Sequence, residues 1–252
     1  MKFSIIIATY NSAGSVQFTL QSINYQTYKD FEVIIIDGMS SDNTIEIVHS
    51  FCPSAKIISE PDSGIYDALN KGMRQARGEW LYVLGSNDKF ADEYVLQDVS
   101  NVVDNNVALI YGNVISVGKS WSKLIKMHPP EVYRAKKIKC PPIFHQSAFV
   151  NRKYIDETGY YPLFFRIHAD HFLLSRLYHL STPTYIDRVI CIYNNEGYSR
   201  LSLKNYYSSS MEQVRINSFF GTKTIVVFKT LIKNFIRLII NIVKAIFNLE
   251  SR

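Results

Sequence analysis

FSIIIATYNSAGSVQFTLQSINYQTYKDFEVIIID, residues 3–37, decides the fold class. Phe3 to Ala8 and Phe31 to Ile36 are short runs rich in Ile and Val, each closing on polar turn residues. Strands buried on both faces of a parallel sheet read this way. Between them, from Ser15 to Gln26, Val16, Leu20 and Ile23 recur at helical spacing, so the stretch is a β-α-β unit. Working outward, Ser41 or Asp42 offers an N-cap to a second helix carrying Ile45, Ile47, Val48 and Phe51, and Pro53 stops it. Lys56 to Ser59 predicts a third strand, Ile65 to Ala76 a third helix and Trp80 to Leu84 a fourth strand. This alternation predicts an α/β protein with a doubly wound, mostly parallel sheet, whose ligands gather at the carboxyl ends of the strands.

The polar residues fall at those ends. Thr9, Tyr10 and Asn11 follow the first strand, Asp37 the second, Glu60 and Asp62 the third, and Ser86, Asn87 and Asp88 the fourth. Together they predict one crevice along one edge of the sheet. Its acids would repel a bare diphosphate. A divalent cation reconciles the two, and a hard oxygen ligand such as Asp88 suits Mg²⁺ or Mn²⁺ with nucleotide phosphates completing the shell. A lone acid after a strand is also a common helix cap, and for Asp42 and Asp62 the capping reading stays open.

The 252 residues, 29.0 kDa, suit one extended α/β domain with an appendage. With 47% apolar and 20% charged residues, collagen-like and disordered chains are excluded. The net charge of +6 is uneven. From Thr222 onward six basic residues face Glu250 alone, a net of +5, which leaves +1 for the first 221 residues. The basic character therefore belongs to a tail and does not mark a nucleic-acid-binding body. Cys52, Cys140 and Cys191 are isolated, which predicts reduced thiols and neither a disulfide frame nor a zinc site. The apolar run in MKFSIIIATY is too short for a signal peptide and reads as a buried strand, so a cytoplasmic location is expected.

Two blocks, IIIATYNSAGSVQFTLQSINYQTYKDFEVIIIDGMSSDNT (residues 5–44) and SEPDSGIYDALNKGMRQARGEWLYVLGSND (residues 59–88), resemble the opening of family 2 glycosyltransferases with the GT-A fold. The likeness resumes at His145, Gln146 and Ser147 and at IHADHFLLSRL, residues 167–177, and is greatest toward bacterial enzymes that build surface polysaccharides. The resemblance implies a sugar transfer from a nucleotide diphosphate donor, a UDP-sugar above others. Asp37 would accept from the base or ribose, with Thr9 and Tyr10 lining the same pocket. Glu60 and Asp62 would border the nucleotide and donor sugar, and Asp67, Asn70 and Lys71 would face the cleft from the next helix. Asp88 takes the last place of a D-x-D-like metal motif that reads Ser86, Asn87, Asp88 here; the family often has a second aspartate at the Asn87 position. Asp170 matches the catalytic base of an inverting transfer, with His171 an unusual neighbour. The Q-x-x-R-W motif of processive members is absent, which implies one sugar per encounter. His145 and Gln146 either contact phosphate or acceptor or satisfy one another, and Asn195, Glu196, Gly197 and Ser199 resemble a late loop over the site.

On this reading residues 1–112 form the nucleotide-sugar-binding half, 113–221 the acceptor half of the same domain, and 222–252 a basic amphipathic tail. Within residues 222–249, Lys229, Lys233, Arg237, Asn241 and Lys244 recur at spacings of 4, 4, 4 and 3, a narrow polar stripe on an otherwise apolar helix. The stripe interrupts the ~20-residue apolar run that a spanning helix needs. It predicts a helix lying on an anionic membrane, or else one packed on protein. Membrane docking on the inner face of the cell membrane suits an acceptor such as a lipid-linked glycan. A nucleotide-sugar-binding subunit without turnover, motivated by Asn87 and His171, is the competing expectation. A nucleotidyltransferase would put a glycine-rich, basic loop where Thr9, Tyr10 and Asn11 stand.

Overall fold

In the computed structural model the described residues are 1–195 and 203–222, with Ile232, Phe235 and Ile236 as isolated positions beyond them. The first half runs β1 (Phe3–Thr9), α1 (Val16–Asn24), β2 (Phe31–Asp37), α2 (Thr44–Phe51), β3 (Lys56–Ser59), α3 (Ile65–Gln75) and β4 (Trp80–Val83). It continues with β5 (Lys89–Phe90), α4 (Val95–Ser100), β6 (Leu109–Gly118), β7 (Trp121–Ile125) and α5 (Pro130–Ala135). A single 3-10 turn (His145–Ser147) then leads to β8 (Ala148–Asn151), α6 (Arg152–Thr158), α7 (Ala169–Leu180), β9 (Thr184–Asn194) and α8 (Leu203–Phe219).

The strands form one sheet of order β3-β2-β1-β4-β8-β6-β9-β5, with β7 on β6. From β3 to β4 every pairing is parallel, and the register sets Thr9 beside Asp37 and Asp37 beside Ser59. Beyond β4 the sheet is mixed: β8 runs antiparallel to β4 and β6, whereas β6 and β9 are parallel across a bulge at Tyr111 to Val114. Because side chains alternate across a strand, β1 feeds two cores. Ile5 and Ile7 pack with Val16, Leu20, Ile23 and Val48 on one face. Ile6 packs with Ala68, Leu69 and Met73 of α3 and Leu173 and Leu177 of α7 on the other. All three isoleucines are fully buried, which is why no polar position interrupts the run; each contributes roughly 1.5–3 kcal/mol of transfer free energy. Gly72 lets α3 lie directly on this strand, since a Cβ there would stand 2.5 Å from Ile6 Cγ2.

The doubly wound architecture and the first seven elements agree with expectation to within a residue or two. The N-cap of α2 is Asn43, not Ser41 or Asp42, and Asp42 Oδ1 accepts from the N–H of Thr44, the first residue of the helix, at 3.1 Å. The three cysteines are free. Residues 223–231 and 237–252, which hold most of the expected amphipathic tail, and Glu196, Gly197 and Ser199 lie outside the described residues. No described helix is long and apolar enough to cross a membrane.

Candidate active site

The parallel register brings the strand ends together, and Asp37 is their tightest knot. It is completely buried. Oδ1 accepts from Thr9 Oγ1 at 2.9 Å and from Ser40 Oγ, and Oδ2 accepts from the Ser40 N–H at 2.9 Å and Ser59 Oγ at 2.8 Å. Burial by itself would raise this carboxyl; the donors of Ser40, Ser59 and Thr9 outweigh it and hold it below the ordinary carboxylate range. Around it Asn11, at φ 47°, donates its N–H to Ser40 Oγ at 2.8 Å and accepts from the Ser41 N–H at 2.9 Å, so the β1 and β2 loops are stitched together. Tyr10, the next residue after Thr9, is left 68% exposed.

Glu60, Asp62, Asp67 and Lys71 form the rim on the β3 side. Lys71 Nζ pairs with Glu60 at 2.8 Å and lies 3.7 Å from Asp67. Asp62 accepts from the Gly64 N–H at 2.8 Å and Asp67 from the Ser63 N–H at 3.0 Å, so both carboxylates order the start of α3. Asn70 corrects one expectation: it does not face the cleft. Its side chain is buried and both amide atoms are spent on the Tyr161 backbone, donating at 2.8 Å and accepting at 2.9 Å.

Asp88 contrasts with Asp37. It is 8% exposed, and among the described residues the Asn194 N–H donates to Oδ1 at 3.0 Å. Oδ2 sits so close to Gly85 that a Cβ there would approach it to 2.4 Å. Burial pushes this carboxyl up, and the Asn194 and Gly85 backbone together with the charge of His145 counter only part of the rise. Ser86 Oγ is 3.2 Å from Ser12 Oγ, and Asn87 is exposed. No group of three His, Cys, Asp or Glu side chains that could hold a metal exists among the described residues. A buried carboxylate short of donors nevertheless fits a divalent ion held by one protein carboxylate and by diphosphate oxygens.

Asp170 enters from the first turn of α7, where the helix N-terminus favours an anion. Oδ2 lies 2.7 Å from His145 Nδ1. Oδ1 accepts from the His171 N–H at 2.8 Å and lies 3.1 Å from the Tyr66 hydroxyl, which also reaches the Ile167 carbonyl at 2.6 Å. Burial would raise Asp170, but His145 and the His171 N–H hold it well below the usual range. His145 moves the other way: burial would lower it, and Asp170 and Asp88 raise it above an ordinary histidine. His145 and Gln146 thus do not satisfy one another; among the described residues Gln146 Oε1 is buried without a hydrogen bond, as is His171 Nε2.

Two partners of this centre were not expected from sequence. Tyr66 lies inside the SGIYDALNKG block. Glu212 of α8 is nearly buried and accepts the N–H groups of Arg166, Ile167 and His168 at 2.7, 3.0 and 2.9 Å, fixing the segment that delivers Asp170.

Residues 4–176 match the family model described as Glycosyl transferase family 2. The chain belongs to that family. A relative named PGL/p-HBAD biosynthesis glycosyltransferase, from Mycobacterium tuberculosis, is 33% identical over 207 residues, covering 77% of both chains. An uncharacterized glycosyltransferase of the same species is 28% identical and covers 77% of this chain and 75% of its own. Among solved structures, S. aureus TarS 1-349 in complex with UDP-GlcNAc superposes with a TM-score of 0.68 at 18% identity, over 93% of this chain and 72% of that one. The chain spans 40% of the longer TarS chain. The mannosyltransferase PcManGT from Pyrobaculum calidifontis, in complex with GDP-Man and Mn²⁺, gives 0.64 at 20% identity, over 92% of this chain and 68% of that one. These likenesses show the GT-A fold.

Proposed function

We propose that this family 2 glycosyltransferase performs a single inverting transfer, moving a sugar from a nucleoside diphosphate donor, a UDP-sugar above others, to a hydroxyl of a lipid-linked glycan. The observation that carries the reading is that His145 feels two carboxylates of opposite character, a buried and poorly satisfied one after β4, Asp88, and a strongly held one on α7, Asp170. Asp88 would hold Mg²⁺ or Mn²⁺ against the diphosphate, and the ion would supply positive charge for the departing phosphate. Tyr10 and the loops fastened by Asp37 and Asn11 would seat the nucleoside, with Glu60, Asp62 and Lys71 on its border. Asp170 belongs to the acceptor side, where a proton must leave the attacking hydroxyl.

One mycobacterial relative is named for PGL/p-HBAD biosynthesis, which supports a glycolipid or polysaccharide product and an acceptor presented at a membrane surface. The expected tail over residues 222–249 would supply contact with the inner face of the membrane. The test is nucleoside diphosphate release from a panel of nucleotide sugars, with Mn²⁺, Mg²⁺ or chelator and with lipid-linked acceptors present, for wild type and Asp88→Ala. Metal-dependent release that collapses in the variant is expected. Binding of a nucleotide sugar without turnover under every condition would replace this reading with a binding subunit.

A further inference from the structure

At its far end β6 turns back as β7 and forms a hairpin that stands in solvent. Residues 119–124 are all exposed, Trp121 by 48% and Leu124 by 46%. Gly118 pairs with Trp121, so Lys119 and Ser120 make the tip. Side chains alternate across a strand, which puts Trp121 and Lys123 on one face of β7 and Leu124 and Lys126 on the other. Each face therefore carries one exposed apolar group and one exposed cation. The indole is held in place by the residue opposite it. A Cβ at Gly118 would stand 2.5 Å from Trp121 Nε1 and 2.6 Å from Cε2, so the ring occupies the space that a glycine leaves.

The charge of the hairpin has one sign. Lys119, Lys123 and Lys126 are the ionisable residues of 118–127, and of these only Lys126 has an ion-pair partner among the described residues, Asp187 at 3.6 Å. Topology sets the tip beside the crevice. β6 is antiparallel to β8, and β8 to β4, so β6 and β4 end on the same edge of the sheet. Val117 pairs with Asn194, whose N–H reaches Asp88, and the Val117 carbonyl accepts from the Asn195 N–H at 2.9 Å. Lys119 follows two positions later.

We propose that this hairpin is a membrane foot: Trp121 and Leu124 enter the headgroup region of an anionic bilayer, and Lys119 and Lys123 lie against its phosphates. This contact is separate from the tail over residues 222–249 and does not depend on the transfer reaction. An indole, apolar in body and polar at its N–H, suits the layer between water and hydrocarbon. Lysine stems lie along apolar surface while the ammonium reaches outward, and an anionic leaflet attracts such cations. β7 pairs with β6 alone among the described residues, so its outer edge is also open to a strand from another protein. Lysines on an edge strand oppose that addition, which favours lipid. Planting the foot turns the carboxyl edge of the sheet toward the bilayer, where a lipid-anchored acceptor would enter.

The test uses fluorescence of the full chain. The sequence holds two tryptophans, and Trp80 is fully buried, so a change on vesicles reports Trp121. Vesicles of phosphatidylglycerol mixed with phosphatidylcholine should shift the emission to the blue, and bromine-labelled acyl chains should quench it. Pure phosphatidylcholine vesicles and inorganic phosphate should do neither. Trp121→Phe should remove the response, and Lys119→Gln and Lys123→Gln should each weaken cosedimentation with the anionic vesicles by about fivefold. Urea unfolding of each variant should match wild type, since the replaced side chains are exposed. An emission that stays fixed while the chain cosediments would overturn the foot and leave the tail as the membrane contact. Undiminished cosedimentation of the doubly substituted Lys119→Gln, Lys123→Gln chain would also overturn it, as would self-association in solution that Trp121→Phe abolishes, which would make the hairpin a contact between copies.

Discussion

Asp37 closes β2 and Asp88 ends the loop that follows β4, and both are buried, yet they have opposite energetics. Asp37 takes hydrogen bonds from three side chains and a backbone N–H and is held ionised. Asp88 takes only backbone donors among the described residues and is pushed toward its neutral form. A buried polar group that is fully paired fastens the structure, and one left short of partners stores an unfavourable charge that a ligand can relieve. On the proposed reading, Asp37 shapes the loops that would meet the nucleoside, whereas Asp88 would gain from a cation that the polypeptide does not supply.

The largest break in this comparison is Asp37→Ala. It strands Thr9, Ser40 and Ser59 at one stroke, and a folding loss of about 3 kcal/mol or more is expected, given ~1–3 kcal/mol for each buried donor left unpaired. Urea unfolding of the purified variant measures it; a loss below 1 kcal/mol would show that water replaces the carboxylate freely. Asp88→Asn should do the reverse. Transfer should fall by about 10²-fold, equivalent to ~2.7 kcal/mol of transition-state stabilisation, while the unfolding midpoint in chelator stays level or rises. A parallel loss of stability and activity would erase the distinction between the two aspartates.

A smaller effect is expected at Glu212→Gln. The amide keeps one acceptor oxygen for three N–H groups and loses the charge that complements them, so about 1–2 kcal/mol of stability is expected to go. Because the segment it holds leads into Asp170, kcat should fall more than KM changes. An unchanged kcat in a variant with a lowered melting temperature would make Glu212 a fastening of α8 alone.

The same contrast explains what could be read from the chain. β1 to β4 were legible because a strand buried on both faces needs an unbroken apolar run, and Ile5, Ile6 and Ile7 supply it while Val16, Leu20 and Ile23 mark the intervening helix. Asp37 and Asp88 were legible as strand-end acids, but their opposite states were not. Those depend on Ser59, Ser40 and Asn194, and only Ser59 follows from strand register. The sheet beyond β4 mixes parallel and antiparallel pairs, and its β6 is bulged, so no local period announced it. Asn70 looked like a cleft residue because its helix lines the cleft; the neighbour that claims it, Tyr161, is 91 positions away. Glu212 is 44 to 46 positions from the N–H groups it binds, and nothing near it in sequence marks the role.

The smallest effect is a pH dependence whose sign differs between the two aspartates. The folded-state pKa of Asp37 lies below its unfolded value, so its contribution to stability is present above the unfolded value and is lost as pH falls through the folded one. For Asp88 the folded value is the higher, so its contribution is complete below the unfolded value and is lost as pH rises through the folded one. In chelator, Asp88→Asn should therefore exceed wild type in stability at pH 7, by about 1.4 kcal/mol for each unit of raised pKa. That advantage should shrink as pH falls toward 4. Urea midpoints of the two proteins at half-unit intervals measure the gap, and a gap that is constant or widens on acidification would mean that the carboxylate of Asp88 is as well satisfied as that of Asp37.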